Sequence, residues 1–322
     1  MFAAGQKEMQ KMDQFTMEKL GLPGIVLMEN AGAKVVDEIL APSSCKNPRI
    51  VVIAGGGNNG GDGFVIARRL NDLGLEPLLC LLVDPVRIKG DAKVHFDVYI
   101  NRKLPIFYLH ENTLEALRDE INRGDIIVDA ILGTGVNGPV RDPFRKVISL
   151  INEFAGKKTI ISVDIPSGVS SDTGKVQGCA VIADRTITFV FPKKGFFLQD
   201  GPKYVGEWKA VDISVPTSIA ANLGLNLPKL ITEKLGNASI PVRPKHGHKG
   251  TFGHALILGG SRNFVGAPIF AAKAAVYAGA GLVTLGIPEG IYPMAAAQNP
   301  ESLYMPLPEE DGYFGAEAIN KI

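Results

Sequence analysis

Residues 51–70 read VVIAGGGNNGGDGFVIARRL: an apolar β-type run, six glycines interrupted by two asparagines and an aspartate, and then an amphipathic helical stretch. A strand that breaks into glycines and resumes as helix is the opening of a βαβ unit, in which backbone amides and the helix dipole can receive a phosphate. Further Val- and Ile-rich runs follow at 76–84, 106–109, 125–131, 158–165 and 185–190, and one precedes the loop at 49–55. They lack strict alternation, as strands covered on both faces do. Two leading helices are predicted over about 6–20 and 24–40, parted by the Gly21-Leu-Pro-Gly24 turn. The expected fold class is α/β, a Rossmann-like three-layer α/β/α sandwich.

After Trp208 the pattern loosens into Pro- and Gly-punctuated sequence, read as a connection between domains. A second βαβ-like unit is predicted beyond it, with strands over 254–260 and 281–288 and a helix over about 266–279. The domain division read here is 1–225 and 226–322. The 94 residues from Lys229 onward are few for a separate α/β domain, so the second is expected to be incomplete, unstable and quickly proteolysed.

A net charge of +1 supplies no basic field for nucleic acid. The N-terminal residues lack a signal-type apolar core, and no run approaches the roughly 18 apolar residues of a membrane span. Cys45, Cys80 and Cys179 fit neither a disulfide framework nor a zinc site and are read as small buried hydrophobes. A cytoplasmic protein with a small-molecule ligand, no nucleic acid and no membrane partner is expected. Met9, Met12, Met17 and Leu20 would form either core or a subunit interface, which leaves a homo-oligomer open.

Gly55-x-Gly57-x-x-Gly60 is a common pattern, and Asp84, 27 residues after Gly57, is late for the ribose-binding acid of a dehydrogenase. More informative are Asn58, Asn59 and Asp62, polar side chains in a loop that phosphate binding alone would leave to the backbone. They suit a ligand together with a hard cation; alternatively, Asn and Gly merely supply positive-φ turn geometry. Asp129 ends the run at 125–131 before a second glycine turn, and Asp164 ends the run at 158–165 with Ser167 three residues on. Strand ends are where open α/β sheets place ligands, so the three loops are expected to converge on one crevice. His246, His248 and His254 cluster, but across a glycine turn and a strand start, which does not suit a metal site.

The segments LMENAG (27–32), GGGNNGGDG (55–63), DAILGTGVNGPV (129–140) and SVDIPSGVSSDTG (162–174), in this order, resemble the NAD(P)H-hydrate epimerase family over about residues 5–215. The resemblance implies interconversion of the R and S forms of nicotinamide cofactors hydrated on the reduced ring, the dinucleotide being substrate. It implies that Asn58, Asn59, Gly60, Gly61 and Asp62, with Gly133, Thr134, Gly135, Val136, Asn137, Gly138 and Pro139, hold the substrate. It further implies that Asn59, Asp129 and Ser167 bind K+, and that Asp164 stands at the reacting centre. Asp164 is the candidate for the group that gives and takes a proton. Glu29 and Asn30 are left without a catalytic role.

Residues 248–288 resemble the opening of the ADP- or ATP-dependent NAD(P)H-hydrate dehydratase domain, a ribokinase-like fold, with Gly266 at a substrate-lining position. The pair resembles the bifunctional NAD(P)H-hydrate repair enzymes, whose second reaction uses Mg2+ and ADP or ATP. No Gly-x-Gly-Asp motif occurs in residues 229–322. The expectation is therefore an active epimerase joined to a shortened, inactive dehydratase domain. The alternative is a nucleotide-binding module that acts through protein partners without turnover.

Overall fold

The computed structural model describes residues 1–41, 47–110, 113–136 and 138–322. Cys45 and Asn137 lie outside the described residues. The chain divides into two compact units, Met1–Thr232 and Glu233–Ile322.

The first unit is built on a parallel sheet of seven strands: β1 (Ile50–Ala54), β2 (Leu78–Leu81), β3 (Ile106–Tyr108), β4 (Ile126–Ala130), β5 (Thr159–Val163), β6 (Arg185–Phe189) and β7 (Glu207–Val211). Their order is β3-β2-β1-β4-β5-β6-β7. The chain runs outward from β1 on one side and returns to start β4 on the other, so the switch point lies between β1 and β4, where the crevice of such a sheet opens. β1 lies parallel to both β2 and β4, and Ile53 faces Asp129 in register.

Alternation along β1 feeds both faces of the sheet. Ile50, Val52 and Ala54 join one apolar cluster, packed with residues of the leading helices α1 (Gln6–Glu18) and α2 (Gly24–Leu40) and of α3 (Asn58–Asp72) and α4 (Gly90–Asn101). Val51 and Ile53 join another, with Leu117 and Ile121 of α5 (Leu114–Arg123) and Val147, Ile148 and Ile151 of α6 (Phe144–Asn152). The result is the expected three-layer sandwich. Met9 and Met12 of α1 are buried in the first cluster, whereas Met17 and Leu20 stay exposed, so the apolar positions of the leading segment divide between core and surface.

β7 was not among the expected strands. Its burial alternates, with Glu207 and Lys209 exposed, because it is an edge strand paired only to β6, and an edge lacks the continuous apolar run of a central strand. The strand predicted over 76–84 shortens to Leu78–Leu81, since Asp84 and Pro85 turn the chain into a short 3-10 turn at Pro85–Arg87.

In the second unit β8 (His254–Leu258), β9 (Leu282–Pro288) and β10 (Leu303–Leu307) form a parallel sheet in the order β10-β9-β8. A helix at Gly266–Tyr277 packs on it over a small core that includes Ile269, Ala272, Val283, Leu285 and Ile287. β10 was not foreseen, and the last element described is a 3-10 turn at Ala316–Lys321.

Candidate active site

The glycine loop works by close approach. No residue of 55–63 has a positive φ, so the reading of its asparagines and glycines as left-handed turn formers is overturned. A Cβ on Gly60 would stand 2.0 Å from the Gly55 carbonyl oxygen, and one on Gly55 would stand 2.1 Å from that of Ile131. Glycine is needed because the backbones of three segments touch. α3 consequently begins inside the loop, with Gly57 as its N-cap and Asn58 in its first turn. The amides and positive dipole end of a 15-residue helix thus sit at the switch point.

Asn59 projects from that first turn and Asp62 from the next, and both are nearly buried. Asn59 Nδ2 donates to the Leu132 carbonyl at 3.1 Å, which ties α3 to the loop after β4. Asp129, near the end of β4, is fully buried. Its Oδ2 accepts from Ser162 Oγ on β5 at 2.8 Å and from the Ser167 amide at 2.9 Å, and its Oδ1 accepts from Ser167 Oγ at 2.5 Å. Burial raises the Asp129 carboxyl above its ordinary range, while the two serines and the Ile131 amide pull it back. The Leu132 amide also donates to Ser167 Oγ at 2.8 Å. Asn59, Asp129 and Ser167 therefore meet around the Leu132 peptide, at the crevice lining.

Asp164 follows β5 directly and adopts φ 62°, a left-handed conformation that costs a non-glycine residue energy and is concentrated at functional sites. Its Oδ1 accepts from the Thr188 hydroxyl and the Phe189 amide, each at 3.1 Å, and from Lys193 Nζ at 2.5 Å. Lys193 is 1% exposed, and its ammonium is satisfied further by Thr188 Oγ1 and by the Phe189 and Phe191 carbonyls. Neither Lys193 nor Asp13 of α1 was singled out from the sequence. Each is one charged residue in unremarkable surroundings, and only the tertiary fold brings them to Asp164.

These groups open on a crevice of about 850 Å³. Gly57, Asn58, Asn59 and Asp62 line one wall; Gly133, Thr134, Gly135, Val136, Gly138 and Pro139 line a second; Asp13 and Asp164 also face it. Gly60 and Gly61 are buried behind the first wall, Gly61 against Met28 and Ala92. Burial pushes the Asp62 carboxyl well above its ordinary value, with the charges of Asp164 and Asp13 adding to the effect. A larger cavity of about 1210 Å³ lies over the ends of β2 and β3, between Asp84, Tyr108, His110 and Lys146. The site is assigned to the smaller one because the buried carboxylates and the helix N-terminus meet there.

Other residues have structural work. Asp84 Oδ1 accepts from the Val86 amide and caps the turn after β2, and the residue lines the larger cavity rather than the crevice, away from the helix N-terminus a dehydrogenase reading would pair it with. Glu29 is partly buried, which would raise its carboxyl, but Arg68 and Arg69 hold it below its ordinary value. Asn30 Nδ2 donates to Ser214 Oγ. His248 Nδ1 accepts from the Gly250 amide, and His254 Nε2 lies 2.7 Å from Thr284 Oγ1. Among the described residues no group of three or more His, Cys, Asp or Glu could hold a metal. Gly266 begins the helix Gly266–Tyr277 of the second unit and is not part of the crevice lining.

A parallel sheet with a helix N-terminus, a second glycine loop and a lysine-clamped aspartate at its switch point defines a Rossmann-like protein with a nucleotide-type crevice. The chain belongs to the family described as YjeF-related protein N-terminus, whose profile matches residues 24–195. Residues 255–320 match the profile of NAD(P)H-hydrate dehydratase. The chain is 38% identical over 313 residues to the bifunctional NAD(P)H-hydrate repair enzyme Nnr of Moorella thermoacetica, covering 96% of this chain and 58% of that one. It is 39% identical to the Nnr of Methanothermobacter thermautotrophicus, covering 95% and 56%. The chain thus spans little more than half the length of these relatives. The crystal structure of yeast Ynu0 superposes with a TM-score of 0.58 at 24% identity, covering 72% of this chain and 98% of that one, which shows the fold.

Proposed function

We propose that residues of the first unit catalyse epimerisation of the R and S forms of hydrated NADH and NADPH. The observation that carries this reading is Asp164, in a strained conformation and paired with a buried ammonium, lining a crevice that also presents a helix N-terminus. The α3 amides receive the pyrophosphate. Asn58, Asn59 and Asp62, with the Gly133–Pro139 loop, position the nicotinamide half. Asp164 exchanges the proton of the hydroxyl on the hydrated carbon.

Potassium fits the donor set. Asp129 carboxylate, Ser167 hydroxyl, the Leu132 carbonyl and the amide oxygen of Asn59 are oxygen donors grouped about the Leu132 peptide, and such donors suit a hard cation. A cation there supplies positive charge that offsets the buried Asp129 and fixes the two loops. Dehydration of the S form with Mg2+ and ADP or ATP is proposed only for a protein of the relatives' full length; Gly266 is its substrate-side residue in this chain. A cytoplasmic location is part of the same proposal; no described helix is long and apolar enough to cross a membrane.

The test mixes the purified chain with the pure S form of hydrated NADPH in potassium buffer and follows the R form by chromatography. R should appear rapidly with the wild type and not with Asp164→Asn. Appearance no faster than without protein, with retained nucleotide binding, would leave the chain a binding module and remove this role from Asp164.

A further inference from the structure

Asp13 has no part in the scheme above, yet it faces the same crevice. It follows the fully buried Met12 on α1 and lines the cavity together with Asp62 and Asp164. Asp91, from the first turn of α4, lines it as well. The positive charge facing Asp13 is the Lys193 ammonium, which is committed to Asp164 at 2.5 Å. Four carboxylates thus line one crevice whose buried ammonium is committed to one of them, and burial disfavours the charged form of Asp13 and Asp62. Burial raises Asp13 to about 6; Lys193 opposes the rise and Asp164 adds to it. Asp62, more deeply buried, is pushed well higher. A group poised near neutrality can both give and take a proton in the working range, whereas one pushed far above it stays neutral.

Inversion at a carbon imposes a second requirement. The hydroxyl leaves from one face of the ring and water returns on the other, and one carboxylate in one position does not reach both faces. We propose that Asp13 is a second catalytic residue of the epimerisation, working as an acid–base pair with Asp164 across the hydrated carbon, with Lys193 as the positioning residue of the pair. This rests on the epimerase reading given above.

The step balances without a co-reactant. The protonated carboxyl gives its proton to the departing hydroxyl as the C–O bond breaks and the ring-nitrogen lone pair forms a C=N bond; water leaves. Water then bonds to the carbon on the opposite face, its surplus proton passes to the other carboxylate, and the C=N electrons return to nitrogen. The proton lost by one aspartate is gained by its partner, so the pair ends set for the reverse direction.

The decisive experiment measures kcat and KM for the S and R hydrates across pH 5–9 in potassium buffer for wild type, Asp13→Asn, Asp13→Glu and Lys193→Met. It is paired with a carbon-13 NMR titration of aspartate carboxyls in ligand-free protein. Asp13→Asn should lose about 100-fold or more in kcat, with KM within about threefold and unchanged nucleotide binding as the check on folding. Asp13→Glu should recover part of the rate. An aspartate titrating near 6 should vanish from the spectrum in Asp13→Asn, move down in Asp164→Asn and move up in Lys193→Met. If wild type epimerises and Asp13→Asn does so within about threefold, or loses only KM, the pairing is wrong while the epimerase reading stands. If wild type gives no turnover of either hydrate, the epimerase reading falls and this inference falls with it.

Discussion

At the scale of single residues, the crevice trades stability for chemistry. Asp13 carries the sign of that trade. Its folded-state value of about 6 exceeds its ordinary 3.8. Between those values the folded protein binds more protons than the unfolded chain, so stability falls as pH rises through the window and the loss is complete above about 6. Asp13→Asn removes the titrating group. It should match wild type at pH 4 and exceed it at pH 8 by about 1–3 kcal/mol in urea unfolding, the pKa difference being worth at most about 3 kcal/mol. Equal stability at pH 8 would mean that Asp13 titrates normally. Lys193 works in the opposite sense. It is nearly fully buried against Asp164, so Lys193→Met leaves a carboxylate without its counter-charge and should cost about 3 kcal/mol. Adding Asp164→Asn should return part of that loss, and a strictly additive double-mutant cycle would contradict the pairing.

At the scale of elements, the constellation is made by strand ends and one helix start. β4, β5 and α3 deliver Asp129, Ser167 and Asn59 to the Leu132 peptide, and each tie depends on the others' register. A cation bound there should raise the melting temperature in potassium over a bulky organic cation at equal ionic strength, by several degrees if it binds well above its dissociation constant. Asp129→Asn should lose the response. An identical melting curve in both salts would argue against the cation site. This region was readable from sequence because its strands are continuous apolar runs and its loops carry rare combinations of glycine with polar residues. Asp129, Asp164, Ser167 and the loop at 55–63 were all found that way. Asp13 and Lys193 were not, since neither occupies a strand end next to glycines and their meaning lies only in what they face. β7 escaped for a related reason: an edge strand with alternating Glu207, Trp208 and Lys209 carries too little apolar sequence to announce itself. The positive-φ reading of the loop failed because glycine permits close backbone approach as well as unusual dihedrals, and composition does not tell the two apart.

At the scale of the whole molecule, the two units differ in how well each covers its own apolar surface. The first has apolar clusters on both faces of its seven-stranded sheet. The second has a three-stranded sheet and one small core, and leaves Phe270 73% and Tyr277 80% exposed along one helix, with Leu256 and Leu258 of β8 each at 45%. Burial on that scale stabilises little, since each side chain forgoes, in proportion to its exposure, up to about 1.5–3 kcal/mol of transfer free energy. The intervening sequence is also open, Ile231 being 88% and Val242 95% exposed. Local opening should therefore be cheapest from this region onward. Brief trypsin treatment is expected to cut first at Lys229, Lys234 or Lys245, the Arg243–Pro244 bond being resistant, and then to degrade the second unit. A product ending near these residues should persist and keep the proposed epimerase turnover, because Asp13, Asn59, Asp62, Asp129, Asp164 and Lys193 all lie before the first cut. Mass spectrometry of the time course decides it. Survival of the second unit after the first has been cleaved would reverse the assignment of stability between them, and loss of turnover on the first cut would show that the crevice depends on residues beyond that cut.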